Sequence, residues 1–462
     1  MSAEIYFASA KQLVNKIKQK QISCTELIHI YLDRLTDINP KLNALVQTLS
    51  PEKALQQARL ADEKLAKNQA IGPLHGLPIT IKDCCKVKDF VITKGSTGFH
   101  FLPTEDATVV ARLKAAGAIV IGISNVPEFN IAYETDNDRY GRTLNPYDLT
   151  RTPGGSSGGE AAIIAAGGST LGLGTDAGGS VRQPAHNTGI VSLKPTHGLL
   201  PNTGKLPYDG GPLNSLTTYG PMARFVDDLI LTLPVLSGST ACSPDFTSTP
   251  CINFKSLRIA FYTDNTIVKA DEDTLRTIKR VVDSLQTEGA QLTEHCPPHL
   301  PELYSLISET FFLKGDKGLG IKMLLNQLAV KKPSSLVREF LAIARRCEFS
   351  TTELNQRLHR LDQLRLELET FFINYDAIIC PVAATPAKQH GRSFIEGRDF
   401  SYLSIYNFTG WPVATVRCGT SLEGLPIGIQ IIAKPQHDMT ALGLAKKLET
   451  LLGGWQAPPL FP

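Results

Sequence analysis

The chain has 462 residues, 42% of them apolar and 20% charged, a balance that supports a large buried core and excludes global disorder. Its 47 basic and 44 acidic side chains leave a net charge of +3 and never form a run of five like charges. A nucleic-acid surface would show as a basic stripe, so this pattern points to a small-molecule partner.

The N-terminus MSAEIYFASAKQLVNKIKQ lacks the positive start and apolar stretch of a signal peptide. Residues 9–20 carry Leu13, Val14 and Ile17 at helical spacing. Ser23 and Glu26 form a capping-box pattern ahead of Leu27, Ile30, Tyr31 and Leu35, and Asn39-Pro40 is expected to stop that helix. A third helix is predicted over 51–67, opening with proline in its first turn. Then GPLHGLPITIKD changes the texture: Ile79–Ile81 reads as a short strand ending at Lys82. A helix at 107–116 leads by a short loop into the buried strand GAIVIGIS. This alternation predicts an α/β fold with a largely parallel sheet.

Ten glycines fall between Gly154 and Gly179, interleaved with or followed by AAIIAA, TLGLG and IVSLKP. Flexible linkers are not apolar, so this density reads as a site built from backbone. The stretch SGSTACSPDFTSTPC reads as a surface excursion before a strand at SLRIAFYTD. Residues 300–375 read as mostly helical, and strands return at DAIICPV, PVATV and LPIGIQII. Every apolar run is broken before about 18 residues, too short to span a bilayer. Nine cysteines, an odd number with no CxxC pair, read as reduced thiols of a cytoplasmic protein without a zinc site.

Three loci carry chemistry: ITIKD at 79–83, PGGSSGGE at 153–160 and GTDAGGSVR at 174–182. A nucleophilic serine needs a base, oxyanion donors and a tight exposed turn. In GTDAGGS the backbone N–H groups of Ala177, Gly178, Gly179 and Ser180 can converge on one point, with Ser180 closing the run. Among candidate bases, His75, His186 and His197 read as structural or surface histidines. Lys82 is the stronger candidate, because a lysine closing an apolar strand loses charge on desolvation, although composition alone favours a lysine that reaches out to the surface. Two other patterns compete. Ser157 satisfies the GxSxG elbow of α/β-hydrolases, but Arg151-Thr152-Pro153 stands where that elbow needs a strand. GLGTDAG lacks the third glycine of a dinucleotide loop, and no GxxxxGK[ST] occurs.

PGGSSGGE, GTDAGGSVRQPA and GIVSLKPTHG, with LPITIKD, SNVPEFN and YGRTLNPYDLTRTPGG upstream and NFTGWPVATV and GLPIGIQIIAK downstream, resemble the amidase signature family in order and spacing. The style is that of stand-alone amidases and fatty-acid-amide-hydrolase-like members. The resemblance implies a mixed, mainly parallel sheet of about eleven strands covered by helices on both faces. It also implies one amidase domain over 1–462, with a signature core at 60–240, a variable helical region at 260–375 and closing strands at 376–440.

The resemblance carries roles onto single residues. Lys82 is implied as a neutral base, Ser156 as the bridging serine after a cis Gly155–Ser156 bond, and Ser180 as the nucleophile. Ala177 to Ser180 match the oxyanion hole. Asn130, Ile131 and Ala132 match the substrate side, and Ser157 and Thr175 support the site. No metal or organic cofactor is implied, the partner is a small amide, and a homodimer is left open. The alternatives are the glutaminase component of glutamyl-tRNA(Gln) amidotransferase, an α/β-hydrolase-type esterase, and a non-catalytic interaction protein. The first expects an Asp ahead of NFTGWP for the glutamine ammonium; that position is Phe400, with Asp399 beside it.

Overall fold

A computed structural model describes residues 2–206, 212–238 and 254–462. Ser237 and Gly238 close the helix Val226–Ser237, and the rest of the expected surface excursion, with Cys242 and Cys251, lies outside the described residues.

Among the described residues eleven strands form one sheet: β1 (Leu45–Thr48), β2 (Pro78–Lys82), β3 (Ile119–Ser124), β4 (Leu171–Asp176), β5 (Val191–Lys194), β6 (Thr218–Ala223), β7 (Arg258–Phe261), β8 (Gln291–Glu294), β9 (Ala377–Pro381), β10 (Val413–Thr420) and β11 (Pro426–Ala433). Their spatial order is β1-β3-β2-β4-β6-β5-β10-β11-β9-β7-β8. The expected mixed, eleven-stranded α/β sheet is present, but it is not mainly parallel. Parallel pairing holds on two flanks, β3-β2-β4 and β9-β7-β8, and the centre from β4 to β9 is antiparallel throughout. The physical reason is connection length. Parallel neighbours need a crossover, which helix–strand alternation signals, whereas β10 and β11 join through the short turn at 421–425 and pair as a hairpin.

Side chains of neighbouring residues on β9 divide between two cores. Ala377 and Ile379 pack on one face with the helices Glu272–Thr287 and Asp438–Leu452. Ile378 and Cys380 pack on the other with Leu300–Ile307 and Thr351–Phe371. That period of two puts helices on both faces and explains why the inner strands are continuous apolar runs.

The N-terminal helices form as the sequence predicts, with one correction. Ser23 and Glu26 make the reciprocal capping box at Cys24–Leu42, but that helix runs through Pro40 and ends at Asn43 in the left-handed region. Pro40 sits in the last turn and forgoes its own bond to the carbonyl four residues back. The helix still closes beyond it, where the Asn43 N–H donates to the Asn39 carbonyl at 2.8 Å. The Asn39 side chain then caps the exit by accepting from the N–H groups of Ala44 and Leu45.

Candidate active site

β2 and β4 are parallel neighbours, so their C-terminal ends deliver Lys82, Thr175 and Asp176 to the same edge of the sheet. Chemistry on open α/β sheets gathers at such edges. Lys82 is fully buried, and its Nζ lies 2.7 Å from Ser156 Oγ, 3.0 Å from Thr175 Oγ1 and 3.5 Å from the Thr175 carbonyl. All three partners are uncharged, and burial pushes the Lys82 pKa down to about 8. Beneath the site, Glu160 accepts from the hydroxyls of Thr80 and Ser124, and burial pushes its carboxyl up to about 7.

Ser156 follows the cis Gly155–Ser156 peptide bond. Glycine is required at 155 because a Cβ there would stand 2.6 Å from the backbone of Ala132 and Glu134. The Ser157 N–H donates to the Ser180 carbonyl at 3.1 Å, which ties the two glycine-rich loops side by side. Ser157 itself is fully buried, its Oγ 3.4 Å from the Thr175 carbonyl, and loop rather than strand precedes it. It is a strut between loops, and the elbow geometry is absent.

The turn that carries Ser180 is anchored by Asp176, whose importance the sequence reading missed. Its carboxylate accepts from the N–H groups of Gly179 at 2.7 Å and Val181 at 3.1 Å, from Asn407 Nδ2 at 2.8 Å, and from both arms of the Arg182 guanidinium. Arg182 is equally buried and also donates to Gln430 Oε1 and the Leu403 carbonyl. Burial pushes the Asp176 carboxyl up, but the Arg182 charge and these hydrogen bonds outweigh it and hold it well below the ordinary carboxylate range. The signal was available: Asp and Arg six residues apart, inside an otherwise uncharged motif.

One expectation narrows here. The Gly179 N–H is committed to Asp176, because the turn folds back onto its own anchor. Among the described residues, no protein acceptor takes the N–H groups of Ala177, Gly178 or Ser180. These are the donors left to face a ligand.

A cavity of about 540 Å³ opens over these residues. Ser156, Thr175, Ala177, Gly178 and Ser180 line its floor, and Asn130, Ile131 and Ala132 line one side. Lys82, Ser157 and Gly179 lie behind the wall. Asn130 adopts φ +62°, and its buried Oδ1 has no hydrogen-bond partner among the described residues. Glu128, two residues earlier, accepts from the Ser334 N–H at 2.8 Å, which fixes the start of helix Ser335–Ala344 beside the cavity. That helix and Leu319–Gln327 pack their apolar side chains around Phe129, so Ile321, Phe340 and Ile343 close the cavity with an apolar roof.

Among the described residues no histidine lines the cavity. His186 is held by Gly428 and Thr385, and His75 by the Ala61 carbonyl. Cys84 and Cys85 are free cysteines behind the site, their sulfurs 3.9 Å apart. Phe400 stacks on Tyr133 in the cavity wall, while Asp399 turns away to pair with Lys388. No group of side chains among the described residues could hold a metal ion, and no described helix is long and apolar enough to cross a membrane.

The model of the Amidase family matches residues 26–442. The chain is 31% identical to human fatty-acid amide hydrolase 2, over 98% of this chain and 90% of that protein. It is 33% identical to the glutamyl-tRNA(Gln) amidotransferase A-type chain of Carboxydothermus hydrogenoformans, over 96% and 97%. Among solved structures, a fatty acid amide hydrolase superposes with a TM-score of 0.88 at 24% identity, over 98% of this chain and 86% of that one. The crystal structure of an amidase superposes at 0.85 with 26% identity, over 96% and 100%. With the family model matched along most of its length and relatives above 30% identity across nearly all of it, this chain belongs to the amidase family, hydrolases acting on amides.

Proposed function

We propose that the protein hydrolyses a carboxamide to a carboxylic acid and ammonia or an amine through an acyl-enzyme on Ser180. The observation that carries this reading is the fully buried Lys82, 2.7 Å from Ser156 Oγ and with uncharged oxygens for all three of its hydrogen-bond partners. A neutral amine has one lone pair and two N–H groups. It accepts the Ser156 hydroxyl proton and donates to the two oxygens of Thr175. Ser156 in turn accepts the proton of Ser180 as Ser180 Oγ attacks the carbonyl carbon. The electron pair moves onto the carbonyl oxygen, and the free N–H groups of Ala177, Gly178 and Ser180 stabilise the charge. Collapse expels the amine, which takes its proton from Lys82 through Ser156. Water then attacks the ester by the same relay and frees Ser180.

Two competing readings lose support. Glutamine carries an ammonium that calls for an anion, and among the described residues no carboxylate lines the cavity. Phe400 occupies the expected position, and Asp399 is spent on Lys388. A Ser157 nucleophile fails because that serine is fully buried and does not line the cavity. The apolar roof of Ile321, Phe340 and Ile343 instead fits an amide with a sizeable hydrocarbon portion.

A fluorophosphonate should label Ser180, with peptide mapping to locate the adduct. Modification of Ser157 in its place would remove the assignment. A second test addresses the backbone donors. A Cβ on Gly178 would sit 2.9 Å from the tip of Phe312 and 3.3 Å from the Tyr133 hydroxyl, which itself donates to the Gly178 carbonyl. Gly178→Val should therefore disturb the donors and lower turnover by on the order of 10²-fold in a folded protein. Turnover near the parent value would take the turn out of the mechanism.

A further inference from the structure

The cavity that holds Ser180 is lined by cations and by no anion among the described residues, and two of those cations have nothing to neutralise them. Arg398 lines the cavity at its exposed rim, and its guanidinium makes no ion pair or hydrogen bond among the described residues. The carboxylates nearest to it in sequence are already taken. Asp399 pairs with Lys388, and Glu396 pairs with both Lys388 at 2.8 Å and Arg392 at 2.6 Å. Glu134, on the loop that carries Ala132, spends both oxygens on Ser393 and on the Gly391 N–H. The Lys314 ammonium, also exposed and lining the cavity, is likewise without a partner among the described residues.

The wall near Arg398 is polar. Tyr304 and Ser308 lie one helical turn apart and both face the cavity; neither side chain bonds to protein among the described residues. The Arg398 charge reaches the Tyr304 phenol and opposes the rise in its pKa that burial causes. Ser404, at the start of a short helix that packs against this one, also lines the cavity. Only 3% of Ser404 is exposed, and its buried Oγ has no hydrogen-bond partner among the described residues. A buried hydroxyl without a partner costs free energy unless something bonds to it, so this one awaits a polar ligand group. Cation, phenol and two hydroxyls together form a polar, positively charged side to a cavity whose roof is apolar.

We propose that this side of the cavity recognises an anionic group on the substrate, making the preferred substrates amides that join a hydrocarbon portion to a carboxylate or similar anion. The proposal rests on the Ser180 reading above and names its substrate class. The anion can sit on the amine side, as in an N-acyl amino acid, or on the acyl side, as in the monoamide of a dicarboxylic acid. Both present the same charge to Arg398, and the experiment separates them.

Three amides of matched length test it: an N-acylglycine, the neutral N-acylethanolamine with the same acyl chain, and a dicarboxylic acid monoamide. At low salt at least one anionic amide should exceed the neutral one in kcat/KM by about fivefold, as suits a pair at an exposed rim. Whichever anionic amide shows the preference identifies the side that carries the charge. The preference should arise in KM rather than kcat, and should shrink in about 0.5 M salt as screening sets in. In Arg398→Ala the ratio of anionic to neutral kcat/KM should fall to about one, and in Arg398→Glu below it. A parent ratio of one or less, or a ratio that neither variant moves, overturns the proposal and leaves the Ser180 mechanism standing. Failure to cleave any of the three amides, together with no labelling of Ser180, removes the underlying reading instead.

Discussion

Replacing Lys82 by arginine should abolish amide hydrolysis as completely as replacing it by alanine. The lysine ammonium is wholly desolvated, which brings its pKa to about 8, so about a tenth is a free amine at pH 7 and about half at pH 8. A guanidinium keeps its proton throughout the accessible range and cannot take one from Ser156. For residues that act as one proton-transfer unit, single losses of on the order of 10⁴-fold or more in kcat are typical. A lysine that merely held substrate by charge would give the opposite pattern, with arginine retaining turnover and the damage falling on KM. Steady-state kinetics of the two variants separates these roles. Arginine activity within about tenfold of the parent would refute the base assignment.

The same group fixes the sign of the pH dependence. The base form is the deprotonated one, so kcat/KM should rise with pH and level off above about 8. The apparent value belongs to the Lys82–Ser156–Ser180 relay as a coupled unit. A profile that falls across this range would mean that the ammonium is the active form.

The second large effect is on stability. Asp176 and Arg182 form an ion pair in which neither side chain touches solvent. Asp176→Ala leaves the Arg182 guanidinium charged, buried and missing its two strongest acceptors. Breaking such a pair from one side costs about 3–5 kcal/mol. The effect should appear as a lower midpoint of urea unfolding relative to the parent. Asp176→Asn preserves volume and tests the anchor more finely. Its amide group cannot accept from the Gly179 and Val181 N–H groups and from Arg182 with the capacity of a carboxylate. The turn carrying Ser180 should lose its fixed geometry, and turnover should fall even in protein that remains folded. Parent-like turnover in Asp176→Asn, with an unchanged midpoint in Asp176→Ala, would show that the turn holds its shape without this carboxylate.

Local order was legible from the sequence alone. Helix starts at Ser9, Ser23 and Ser50 are written in capping residues a few positions from the groups they bond. The apolar runs of β2, β3, β9 and β11 are continuous because both sheet faces are covered, and they stand out against the polar, glycine or proline residues that flank them. The three chemical loci were readable for a related reason. Each is a run of backbone-permissive glycine, or a charge at the end of an apolar strand, and neither is needed for packing alone.

What tertiary structure decided is everything set by partners distant in the chain. β6 contains Gly220 and Pro221, which argue against a strand locally; pairing with β4 and β5 on either side overrides that. Whether neighbouring strands run parallel depends on where each connection lands, so the antiparallel centre of the sheet was not readable from element order. The Gly179 N–H looked available as an oxyanion donor until the turn folded onto Asp176. Asp176 itself matters because Arg182, Asn407 and the turn amides converge on it, and Asn407 lies 231 positions further along the chain. Nothing in the sequence sets Arg398 apart; only the fold commits its neighbouring carboxylates elsewhere and leaves its charge facing the cavity. Hydrogen bonds across a loop are short-range in the chain and leave a sequence signature. Electrostatic compensation is short-range only in space, so only the folded chain shows which charges are left over.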